Sequence, residues 1–176
     1  MRDLKHLIES CKNAEDLVYS KKAITLYHRK AQDFSLEICS IFIKKCITYG
    51  DIKIATETIC KPGNRIGAWM SDRSAKLLFG ELAAKGDFAA LGEVFKAVAL
   101  RDPKKFYTFP HLEYLLQLSA NEAGTEVYDL VMAKCIAHLS VTEVETLQSS
   151  HPRPIVPAAV PEETLQEQEG QEDPKP

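Results

Sequence analysis

The stretch Phe42-Ile43-Lys44-Lys45-Cys46-Ile47-Thr48-Tyr49-Gly50-Asp51-Ile52-Lys53-Ile54-Ala55 returns 36 positions later as Leu78-Phe79-Gly80-Glu81-Leu82-Ala83-Ala84-Lys85-Gly86-Asp87-Phe88-Ala89-Ala90-Leu91. Apolar residues fall on apolar residues: Phe42, Ile43, Cys46 and Ile47 on Leu78, Phe79, Leu82 and Ala83. Further on, Ala55 and Ile59 fall on Leu91 and Phe95, and Leu78, Phe79 and Leu82 shift onto Tyr114, Leu115 and Leu118. The spacing within each copy is helical, and a Gly-Asp pair divides it. Gly takes the left-handed conformation that ends a helix, and Asp caps the next one. A period of this length with a central turn predicts helical hairpins that stack, because one hairpin cannot bury its apolar stripe alone.

Working outward, four hairpins are predicted. The first pairs Asp3–Cys11 with Ala14–Lys30, and the second pairs Ser35–Thr48 with Asp51–Cys60. The third pairs Asp72–Ala84 with Asp87–Leu100, and the fourth pairs Pro110–Ala120 with Thr125–Ser140. Their turns near Asn13, Gly50, Gly86 and Gly124 keep intervals of 37, 36 and 38. Lys61-Pro62-Gly63-Asn64 and Arg101-Asp102-Pro103 are breakers, and short connections force antiparallel helices.

From His151 the composition changes. Six of the nine prolines lie in the last 26 residues, interleaved with Glu and Gln. The expected division is a helical-repeat domain over 1–147 and a disordered acidic Pro/Glu-rich tail over 148–176, with Val141–Leu147 adding a helical turn or two. Such a tail has too little apolar surface to offset its ordering entropy. The net charge of −3 is concentrated there: residues 151–176 sum to −4 and residues 1–150 to +1. A near-neutral repeat domain has no general field toward nucleic acid, although residues 1–66 are locally basic.

The five cysteines, Cys11, Cys39, Cys46, Cys60 and Cys135, form no C-x-x-C pair and read as buried free thiols of a reducing compartment. No secretory signal is recognisable, and no apolar run is long enough to span a bilayer. The chain is therefore expected not to be secreted and not to insert in a membrane. His6, His28, His111, His138 and His151 are scattered, and no metal-binding, phosphate-loop or nucleophile motif is present. No catalytic residue, cofactor or metal is expected, and the chain reads as a non-enzyme.

The segment Ser35-Leu-Glu-Ile-Cys-Ser-Ile-Phe-Ile-Lys-Lys-Cys-Ile-Thr-Tyr-Gly-Asp resembles the first helix and turn of a pentatricopeptide repeat. Phe79-Gly-Glu-Leu-Ala-Ala-Lys-Gly-Asp-Phe-Ala-Ala-Leu-Gly-Glu-Val-Phe resembles it more closely, through its Gly turn and Ala/Leu-rich second helix. The order of small and aromatic residues in tetratricopeptide repeats is absent. The resemblance covers residues 3–140. Within the family, the order Leu4–Lys30, Phe42–Gly50, Leu77–Phe95 is similar to the pentatricopeptide-like members of the mitochondrial ribosomal small subunit. It implies an all-α, right-handed α-solenoid of about four antiparallel hairpins that binds RNA or a ribonucleoprotein. It also implies a mitochondrial location, although Asp3 and Glu9 disfavour a cleavable presequence in Met1–Cys11, and the cytoplasm is the other expectation. The alternative is a protein–protein adaptor whose groove holds a peptide or a helix.

The resemblance also implies where bases would be read: Ser40, Lys76 and Tyr114 on the first helices, Ser71 and Tyr107 at the repeat ends. Only Ser40 with Ser71 has the small hydroxyl chemistry of a reading pair, so sequence-specific readout is not expected. Lys44 and Lys45 could neutralise phosphates or be solvated lysines near a helix C-terminus. Lys21, Lys22, Arg29 and Lys30 cluster on a second helix and could dock ribosomal RNA or an acidic partner. Trp69, Phe106 and Phe109 read as packing between repeats, with Tyr107 left as the exposed candidate.

Overall fold

The computed structural model describes residues 2–29, 34–62 and 65–155. Among these the chain is all helical, without a strand. The helices are α1 (Arg2–Ser10), α2 (Ala14–Arg29), α3 (Leu36–Thr48), α4 (Ile52–Cys60), α5 (Asp72–Ala84), α6 (Phe88–Arg101), α7 (Pro103–Phe106), α8 (Phe109–Leu118), α9 (Thr125–His138) and α10 (Val141–Ser150).

The Gly-Asp turns are built as local rules require. Gly50 and Gly86 have φ of 73° and 71°, the only described glycines at positive φ. At Gly86 two bonds close the helix: Gly86 N–H donates to Ala83 O at 2.9 Å and Asp87 N–H to Leu82 O at 2.9 Å. That pair is the Schellman pattern, which satisfies carbonyls the helix leaves orphaned. The Asp51 and Asp87 carboxylates then accept from the Ile54 and Ala90 amides and open α4 and α6. The other two turns differ. The Asn13 side chain caps α2 by accepting from Asp16 N–H at 2.9 Å. Gly124 has φ of −88° and closes a short 3₁₀ turn, Glu122–Gly124.

Pairs α1/α2, α3/α4, α5/α6 and α8/α9 pack as hairpins. The first helices also touch in order, α1 on α3, α3 on α5 and α5 on α8, and so do the second helices, α2 on α4, α4 on α6 and α6 on α9. The molecule thus has helical-repeat-like character, with two rows of helices sharing one core. Phe42, Phe79, Phe95 and Phe106 are fully buried in it. Truncating one of these to Ala in such a core costs about 3–5 kcal/mol. Trp69 ends a 3₁₀ turn, Ile66–Trp69, and is half-buried against the core between hairpins, as expected of a gap-filling residue.

Three boundaries differ from the sequence expectation. Arg101-Asp102-Pro103 stops α6 at Arg101, one residue beyond the expected Leu100, but Pro103 also opens an unexpected four-residue α7, where its missing N–H costs nothing. Pro110 lies in the first turn of α8, but Phe109 starts that helix. Helix α10 runs to Ser150, beyond the boundary drawn at 147, from a capping box between Ser140 and Glu143. His151 and Arg153 reach α9, where the Tyr128 hydroxyl donates to His151 O at 2.6 Å and Arg153 forks the Asp129 carboxylate with two bonds of 2.8 Å. The disorder expected over 156–176 lies outside the described residues.

Candidate partner and nucleic-acid surface

Helices α1, α3, α5 and α8 form one row, and of the candidate reading positions Ser40, Ser71, Lys76 and Tyr114 lie along it, while Tyr107 caps the end of α7. Ser40 on α3 and Ser71 at the start of α5 are brought together, with Oγ atoms 3.4 Å apart. Ser74 completes a triangle, 2.8 Å from each. Ser71 is the N-cap of α5 and accepts from Ser74 N–H at 3.2 Å. The pair is therefore already engaged in closing one repeat on the next.

Lys76 and Tyr107, the second expected pair, are not brought together. The Lys76 ammonium sits 5.4 Å from the Tyr114 ring, and the Tyr114 hydroxyl donates to Lys76 O at 3.2 Å. A Cβ at Gly80 would come within 2.9 Å of that hydroxyl, so a larger residue there would oblige the Tyr114 side chain to shift. Tyr107 corrects its expected role as an exposed platform. It is half-buried and stacks on His138 at 4.2 Å, with Phe95 edge-on at 6.1 Å. An aromatic face covered by His138 is not open to a base.

The lysines divide in the same way. Lys44 is exposed on α3, one turn along from Ser40. Lys45 is half-buried, and its ammonium donates to Cys11 O at 2.8 Å, beside the Tyr49 hydroxyl that donates to the same carbonyl at 2.7 Å. It ties two repeats together and is not a free phosphate contact, a role its long-range partner hid from the sequence. Lys21 forms an ion pair with Glu57 of α4. Lys22 is exposed and lies 5.5 Å from the Tyr19 ring. Arg29 is the last residue of α2, and Lys30 lies outside the described residues.

Two features escaped the sequence reading. Arg73 is exposed on α5 one turn before Lys76, and helical spacing alone puts it on that face. Leu7, Leu36 and Leu77, on α1, α3 and α5, are 39%, 50% and 41% exposed. This row therefore mixes exposed leucines with Lys44, Arg73 and Lys76, and an ion pair of 2.5 Å joins Lys5 to Glu37. It is not a continuous cationic stripe. A groove of about 650 Å³ lies between the two Gly turns, lined by Asp51, Lys53, Glu57, Lys85 and Asp87, again of mixed sign.

The cysteines are free thiols, four buried and Cys60 half-buried. Burial pushes Cys39 and Cys46 up to about 12 and Cys135 up to about 11, so they are held as neutral thiols and not as nucleophiles. Burial also lowers the pKa of His111. Its Nε2 is buried without a hydrogen bond, 3.8 Å from Asp72 Oδ1, while its Nδ1 meets Thr108 Oγ1 at 3.0 Å. No helix of the described residues is long and apolar enough to cross a membrane. No family model, curated protein or solved structure matches the chain.

Proposed function

We propose that this chain is a non-catalytic helical-repeat scaffold, a right-handed pentatricopeptide-like α-solenoid seated in a ribonucleoprotein such as the mitochondrial ribosome. The observation that carries the reading is the face of α3 and α5, where Lys44, Arg73 and Lys76 stand exposed beside hydroxyls and a tyrosine already bound to protein. Such a face meets phosphates without choosing bases. Specific readout would require Ser40, Ser71 and Tyr107 to leave partners they already hold.

A second reading, a protein–protein adaptor, is favoured by the exposed Leu7, Leu36 and Leu77 in the same row. An apolar surface rimmed by mixed charge fits a peptide or helix. Titrating several unrelated single-stranded RNAs against the full chain at two salt concentrations separates the two. The RNA reading expects affinities within about tenfold of one another that fall together as salt rises, since Lys and Arg displace counterions from any strand. One strand bound far above the rest overturns non-specific contact. Absence of binding at low salt leaves the adaptor.

A further inference from the structure

The second row of helices carries a surface apart from the α3–α5 face on which the proposed function rests. On the outer side of α2, Val18, Tyr19 and Leu26 are 41%, 63% and 54% exposed. Beside them lies a groove of about 490 Å³ lined by Val18, Lys21, Lys22, Thr25, Leu26 and Lys61. Its floor is apolar and half of its lining side chains are lysines. Lys21 has Glu57 as partner. Among the described residues, neither Lys22 nor Lys61 has a carboxylate partner. A greasy floor with a cationic rim favours an acidic protein segment over a bare phosphate chain, which offers nothing to Val18 and Leu26.

We infer that this groove receives the chain's own segment 156–176. That segment has the complementary chemistry: Glu162, Glu163, Glu167, Glu169, Glu172 and Asp173 against Lys175 alone, with Val160 and Leu165 as apolar contacts. Its starting point is fixed. Arg153 and His151 hold the preceding residues on α9, and α9 is linked to α2 through α6 and α4. Three helix-to-helix steps of 8–10 Å span roughly 30 Å. About ten extended residues cover that distance, which brings Leu165 to the groove with Glu167 and Glu169 following at the lysine rim. Tethering raises the local concentration to the millimolar range, so a weak match suffices. The docked segment covers α2 and competes with any acidic partner for it. The inference does not depend on whether the α3–α5 face meets RNA or protein.

Zero-length carbodiimide coupling of the full chain, read by peptide mass spectrometry, tests it, because the reagent joins only amines and carboxylates in contact. Links from Glu162–Asp173 to Lys22 and Lys61 should exceed those to the exposed Lys44, Lys96 and Lys104 by about fivefold, as expected of one exposed ion pair. They should fade in high salt. Leu26→Asp in the full chain, at an exposed position that leaves the core intact, should abolish the preference. Equal links to all exposed lysines would overturn the inference. So would links found only in cross-linked dimers, which place a second copy's segment in the groove, or links unchanged by Leu26→Asp.

Discussion

Gly86 shows how a single residue sets the architecture. Its φ of 71° is strained for any residue with a Cβ, yet a Cβ built there meets nothing within 4 Å. The demand is therefore on the backbone alone and not on space. Gly86→Val should cost about 1–2 kcal/mol, while Gly86→Asn should cost less, because Asn tolerates the left-handed region. Denaturant midpoints of the two variants check this. Equal midpoints for Val and the parent would show that the turn is not where the chain needs it. His111 makes a second prediction at this scale. Burial lowers its pKa from 6.5, with Lys76 and Lys105 acting the same way and Asp72 opposing them. The folded state therefore resists the proton that the unfolded chain accepts. Stability is full above the unfolded value of 6.5 and is lost as pH falls below it toward the depressed folded value. Subtracting the pH profile of His111→Gln isolates this contribution. The difference should be flat above pH of about 7 and slope below it. A difference that is flat throughout would contradict the burial argument.

At the scale of elements, the C-terminal helix carries a sharper expectation than composition suggested. His151 and Arg153 belong by sequence to the acidic tail, but they fasten α10 to α9. A chain ending at Ser150 removes the bond from Tyr128, a 4% exposed side chain, to His151 O. It should be less stable than a chain ending at Ile155 by about 1 kcal/mol, the usual net worth of such a bond. Thermal midpoints compared side by side check it, and identical midpoints would mean that the strap does not hold. What was legible in the sequence follows from range. Gly50-Asp51 and Gly86-Asp87 were readable because a left-handed turn and an Asp cap are decided within a few residues. Helix α7 was missed because Pro stops one helix and opens another with the same fixed φ, and sequence alone does not choose. The length of α10 was understated because Leu147 is its only buried residue, although Ser140 and Glu143 already spelled a capping box. The candidate site was legible in position and not in partnership. Lys45 finds Cys11 O, and Lys21 finds Glu57, more than 30 residues away, and no local pattern reports such pairs.

Over the whole molecule, the same stitch recurs from repeat to repeat. The Tyr49 hydroxyl donates to Cys11 O, the Lys85 ammonium to Gly50 O, and the Lys105 ammonium to Met70 O. Each reaches back 35 to 38 residues to a backbone carbonyl, so successive helix pairs are tied to one another. Those ties suit the proposed scaffold, and Lys44, Arg73 and Lys76 stand exposed on the helices they join. The direct test of a ribonucleoprotein scaffold is sedimentation of the tagged full-length chain from cell extract, with and without ribonuclease. The chain should travel with a heavy particle and move to light fractions once RNA is digested. Light sedimentation in both samples would contradict the account, and heavy sedimentation that survives ribonuclease would replace RNA with a protein partner.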